Sequence, residues 1–164
     1  MYLILATFAL CFSYFIIAII FSLFFKNEFP VFTSKSFRSV STILIASVIT
    51  ILIAISIPDP ELSNRILHGL AGGFMAFFVC FLVVRDYKTP ISTFQFFIFS
   101  ALMVTALGVV NELAEFFIQH YTPFFHIVFS ASPLDTWLDL VSNTVGILVA
   151  AVCFVPFINK NKQL

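Results

Sequence analysis

Charge is what this sequence has least of. Asp, Glu, Lys and Arg make up 10% of 164 residues, and hydrophobic residues make up 61%. A soluble domain runs near 25% charged and 45–50% apolar, and a chain this short has too little interior to hide the surplus. A soluble globular protein is therefore excluded, and a chain solvated by lipid is expected. Acidic and basic charges are equal in number, and no run of like charge occurs, so nothing suits nucleic acid. Cysteine is scarce. Cys11, Cys80 and Cys153 lie in apolar stretches without disulfide or metal spacing and read as small apolar residues. Residues 1–25 have no basic segment ahead of the apolar run and no small-residue cleavage pattern, so they read as a permanent helix rather than a signal peptide. Internal repeats and low-complexity segments are also missing, and the length suits one compact domain.

Five long apolar stretches remain, at about Leu3–Phe25, Val40–Ile57, Ile66–Val84, Phe94–Ile118 and Thr136–Ile158. Each approaches the ~20 residues a helix needs to cross the hydrocarbon of a bilayer. They are continuously apolar with no alternation of period two, which favours helices over strands of a barrel. The expected fold is all-α: a polytopic membrane protein of five transmembrane helices. Its parts are residues 1–39 (an N-terminal helix and a cytoplasmic connection), a four-helix core at 40–158 and a cytoplasmic tail at 159–164.

Basic residues orient the bundle. Lys26, Lys35, Arg38, Arg85, Lys88, Lys160 and Lys162 fall on one side of five crossings, and only Arg65 falls on the other. The positive-inside rule makes the first side cytoplasmic, with the N-terminus out and the C-terminus in. The single tryptophan, Trp137, then falls at the outer interface, where Trp is favoured. The connection from Gln119 to Asp135 is too apolar for a free loop and is expected to lie in the interface or dip back as a re-entrant segment. His120 and His126 read as interfacial.

An ionisable group at mid-helix costs about 2.5–3.5 kcal/mol on insertion scales, so those present call for a reason. In the fourth stretch Gly108, Glu112, Glu115 and Gln119 share one helical face. In the last, Asp135, Asp139 and Asn143 recur every four residues, beside the small residues Ser142, Gly146 and Ala150. The third opens with Arg65 and His68, followed by Gly69, Gly72 and Gly73. The topology sets all these groups at similar depth, so one polar pocket open to the outer face is expected, walled by helices three, four and five. Glu112, Asp139 and His68 are the candidate acid/base groups, and Arg65, Glu115, Gln119, Asp135 and Asn143 are candidate binding groups. Two glutamates three residues apart in a low dielectric call for a shared proton or a cation, so a divalent cation is a possible cofactor. Plainer roles compete. The carboxylates could pair with Arg65 or His68 to fix helix register, Asn143 could join helices, and Asp135 could cap the last helix. The glycines at 69–73 serve packing, since no strand precedes them as a phosphate loop requires.

Ile57-Pro58-Asp59-Pro60 leading to Asn64-Arg65-Ile66-Leu67-His68, Glu112-Leu-Ala-Glu115, and above all Asp139-Leu-Val-Ser-Asn143-Thr-Val-Gly146 resemble motifs of the VanZ-like family of bacterial membrane proteins. Glu115 stands where that family usually has Gln, and Ser130–Pro133 stands where it often has Gly-Arg. The resemblance covers roughly residues 43–155 and implies a four-helix core with an added first helix, in a bacterial cytoplasmic (inner) membrane. It also implies a cell-envelope role, the name-giving member being linked to glycopeptide resistance. The expected function is binding of, or action on, a lipid-linked or other envelope substrate. The alternative is a small proton-linked transporter or a subunit of a membrane complex. Neither the residues nor the resemblance specifies a reaction.

Overall fold

A computed structural model describes residues 2–25, 33–121 and 132–160, with side chains over 7–25, 33–121 and 132–158. Five helices long and apolar enough to cross a membrane fill these segments, and no strand occurs among the described residues. They are α1 (Tyr2–Phe25), α2 (Ser34–Ile55), α3 (Pro60–Tyr87), α4 (Thr93–Tyr121) and α5 (Pro133–Lys160). The expected all-helical, five-span architecture is the one observed.

Four helices outrun their apolar stretches, three of them because a polar residue caps the N-terminal end. The hydroxyl of Thr33 accepts from Ser36 N and starts α2 six residues ahead of Val40. Asp59 accepts from Leu62 N at 2.8 Å, and Pro60 follows in the first turn, so α3 begins well before Ile66. α4 runs on to Tyr121, past Ile118. Ser132 caps α5 by accepting from Asp135 N at 3.1 Å. The capping role expected as one option for Asp135 therefore belongs to Ser132, because Asp135 sits inside the first turn with its carboxylate turned towards α3. The expected interfacial or re-entrant course of the fourth connection, and the place of His126, fall outside the described residues.

α3 is the central helix. In its most apolar stretch 56% of residues are buried, against 22–33% in the other four. It is also irregular: α-helical turns at Pro60–Leu67 and Ala76–Tyr87 flank a π-helical segment at His68–Met75. This segment packs against α5 at backbone distance. A Cβ on Gly73 would collide with the Asn143 carbonyl, and one on Gly146 with the Gly69 carbonyl. The small-residue stripe thus brings two backbones together without hydrophobic pressure, which lipid does not supply. Towards the other end, Tyr14, Ile17 and Phe21 of α1 enter a core with Phe77, Val83 and Phe96, while Phe154 stacks on Phe78 and Phe81. Outward faces carry exposed Phe8, Phe12, Leu23, Leu102 and Val152, an inverted surface that suits a hydrocarbon solvent.

At the C-terminal end of α3, Asp86 gathers a hydrogen-bonded network. Tyr14 donates to its Oδ2 at 2.8 Å, the Ser39 hydroxyl donates to the same oxygen, and Arg85 donates to Oδ1 at 2.8 and 3.0 Å. It ties α1, α2 and α3 together. The apolar pattern alone carries no sign of it, because Asp86 reads as part of a polar connection.

Candidate functional site

The opposite end of α3 carries the site. Arg65 is held between two carboxylates of α5: its Nη1 lies 2.5 Å from Asp139 Oδ1 and its Nη2 2.5 Å from Asp135 Oδ1. Nη1 also donates to the Asp135 carbonyl at 3.1 Å. The spacing of four residues on α5 stacks the two carboxylates one turn apart, and the forked guanidinium spans both. Asn64 donates to both oxygens of Asp139, at 3.3 and 3.4 Å. With 1% of its side chain exposed, Asp139 is among the most buried side chains in the molecule, so these partners replace nearly all its water.

One turn along α3, the imidazole of His68 stands between helices. Its Nε2 lies 3.4 Å from Asp139 Oδ2 on α5, and its Nδ1 lies 3.8 Å from Glu112 Oε1 on α4. Glu115, one turn from Glu112, accepts from Asn111 Nδ2 at 2.7 Å. His68, Glu112 and Glu115 are all buried, and their ligand-type atoms lie within 4.8 Å of one another. On α4 the buried face is Phe96, Ser100, Val104, Gly108, Glu112 and Glu115, so the carboxylates occupy the inward stripe. Gln119 continues it as a half-buried residue. Glu112 Oε1 and Asn143 Oδ1 are buried oxygens that make no hydrogen bond.

A cavity of about 340 Å³ adjoins the cluster. Its walls are mostly apolar, from Leu10 of α1, Ile51 of α2, Leu67, Ala71 and Ala76 of α3, and Leu107 of α4, while His68, Asn111 and Asn143 supply polar atoms. The Asn143 side chain reaches it through a gap: a Cβ on Gly72 would strike Asn143 Oδ1, and one on Gly108 would lie 3.0 Å from its Nδ2. Ser47 of α2, whose hydroxyl is buried without a hydrogen bond, also lines the space.

Arg65, His68, Glu112, Glu115, Asp135 and Asp139 therefore meet across α3, α4 and α5, at one end of the bundle. The open volume is walled by α1 and α2 as well as by α3 and α4, and α5 contributes Asn143. Asn64 and Asn111 were not singled out from the sequence. Their only signal is position, since Asn64 precedes Arg65 and Asn111 lies four residues before Glu115. His120 is exposed and stacks on Phe116.

These features define an all-helical membrane protein with an acidic cluster buried among its helices. The chain belongs to the family described as "Predicted membrane protein (DUF2238)", whose model matches residues 3–160 and so takes in α1 as well as the other four helices. No curated protein and no solved structure matches it.

Proposed function

We propose that the cluster and the cavity form one intramembrane site that binds, and acts on, an amphiphilic molecule of the cell envelope. The observation that carries this reading is the junction of the two: His68 belongs both to the carboxylate cluster and to the wall of a mostly apolar space of about 340 Å³. A polar head group meets Glu112, Asp139 and His68, and its apolar chain lies along Leu10, Ile51 and Leu107. His68 and the carboxylates are suited to acid/base work, because imidazole and carboxyl groups in different surroundings can hold and release protons in turn. The positive-inside pattern opens the site to the outer leaflet of a bacterial cytoplasmic membrane. The resemblance of Asp139, Asn143 and Gly146 to the VanZ-like motif supports an envelope role, and all three residues are buried beside α3.

The reading is tested by mass spectrometry of the protein extracted from its own membranes, and by complementation of a deletion strain. A bound amphiphile should accompany the wild type and be lost from Ala71→Phe, which fills the cavity. Glu112→Gln and Asp139→Asn should fail to restore the envelope phenotype. Full rescue by both would overturn the reading. One observation favours a second, structural reading: Arg65 joins Asp135 and Asp139 as an ion-paired brace between α3 and α5, as in a subunit whose carboxylates only fix helix register. In that case Glu112→Gln, which breaks no ion pair with Arg65, would be poorly folded rather than folded and inactive.

A further inference from the structure

We infer that His68, Glu112 and Glu115 hold a first-row divalent cation, of the Mn²⁺, Fe²⁺ or Zn²⁺ class. The inference rests on the reading of this cluster as a ligand site and adds what the ligand meets there.

Three observations converge. The first is geometric. One imidazole from α3 and two carboxylates from successive turns of α4 bring their donor atoms within 4.8 Å of one another, all in buried side chains. Two donors sharing an ion at about 2.0–2.2 Å each lie up to roughly 4.3 Å apart. The 3.8 Å between His68 Nδ1 and Glu112 Oε1 is already in that range, and small side-chain rotations close the rest.

The second is the direction of His68. Asp139, fixed by Arg65 and Asn64, faces Nε2 at 3.4 Å. A carboxylate in that place draws the proton of a neutral imidazole to Nε2 and leaves the Nδ1 lone pair facing the glutamates. Metal-binding histidines are commonly oriented in this way by a carboxylate behind the ring. Asp139 is then a positioning residue, not a ligand.

The third is the orphaned acceptor. Glu112 Oε1 is buried, makes no hydrogen bond and lies 3.8 Å from His68 Nδ1, which is an acceptor in the tautomer that Asp139 favours. Two acceptors facing each other away from water are unfavourable unless a cation or proton lies between them. Arg65 is committed to Asp135 and Asp139. A nitrogen with two carboxylates suits Mn²⁺, Fe²⁺ or Zn²⁺ better than Ca²⁺ or Mg²⁺, which prefer all-oxygen sites. Three protein ligands also leave positions open, as in metal sites that take a further ligand. Those positions give an oxygen-bearing head group a cation to meet in a cluster that is otherwise acidic.

The full chain in lipid nanodiscs, stripped with EDTA, would be titrated with Mn²⁺ by electron paramagnetic resonance and with Zn²⁺ and Ca²⁺ by calorimetry. One saturable Mn²⁺ or Zn²⁺ site per chain is expected, with Ca²⁺ bound more weakly. Glu112→Gln, Glu115→Gln and His68→Gln should abolish it, and Asp139→Asn should weaken it by ~10–100-fold. Asp86→Asn, at the other end of α3, should leave it unchanged. Absence of saturable binding in the wild type would overturn the inference, and that result needs no variant to fold. So would wild-type affinity retained in both Glu112→Gln and Glu115→Gln. A bound amphiphile without a metal would remove the cation and leave the proposed function standing. A metal without an amphiphile would do the reverse.

Discussion

Arg65 and Asp139 show what a charge needs in order to reside among helices. Asp139 is almost wholly enclosed, and its oxygens are taken by one guanidinium and one amide. Removing one partner of a buried ion pair leaves an uncompensated charge and costs about 3–5 kcal/mol. Arg65→Gln should therefore lower the thermal midpoint of the detergent-solubilised protein substantially, and Arg65→Gln combined with Asp139→Asn should restore part of the loss. A double variant no more stable than the single one would argue against the pairing. The candidate residues themselves were legible, because ionisable groups in apolar runs stand out and helical spacing fixes which of them share a face. Their amide partners were not. Asn64 and Asn111 are ordinary helix-surface residues by type, and only the crossing of α3 with α4 and α5 turns them inward.

At the scale of the element, the contact between α3 and α5 governs the site, because it sets where His68 stands relative to Asp139. Gly73 and Gly146 have no room for a side chain. Overpacking a close contact costs about 1–3 kcal/mol, more when the obstacle is backbone. Gly146→Leu should thus destabilise the protein strongly, whereas Val152→Leu on the exposed face of α5 should leave the melting midpoint within about a degree of wild type. The small-residue stripe announced this contact in the sequence. The π-helical turns at His68–Met75 were not announced, since glycine-rich composition fits α and π geometry alike and the register is set by α5. Such segments recur at functional sites in helices, and this one carries His68 as its first residue. Helix ends were misplaced because hydropathy marks the lipid-facing part of a helix, while Thr33, Asp59 and Ser132 add capped turns beyond it.

At the scale of the whole molecule, composition calls for a lipid solvent, and five separate apolar stretches set the number of helices long enough to cross it. The role of α1 is different. The family resemblance sets it apart as an addition to a four-helix core, yet it supplies Tyr14, Ile17 and Phe21 to the core and Leu10 and Ser13 to the cavity wall. A hydropathy reading cannot tell an inserted helix from an appended one, because both look equally apolar. The orientation is an expectation from Lys and Arg: a reporter fused after Leu164 should be active only in the cytoplasmic form. Activity of a periplasmic reporter there would reverse the bundle and turn the site to the inner leaflet.

Whether the buried glutamate serves a ligand or merely the fold can be decided by one comparison. The thermal midpoints of wild type and Glu112→Gln would be measured in the same nanodiscs with chelator present. Glu112 has a buried oxygen with no hydrogen bond, and a group kept in poor surroundings for function usually costs stability. Glu112→Gln should therefore melt at or above the wild-type temperature. A fall of many degrees would show that the carboxylate holds the helices together, and the cluster would then be a structural brace rather than a site.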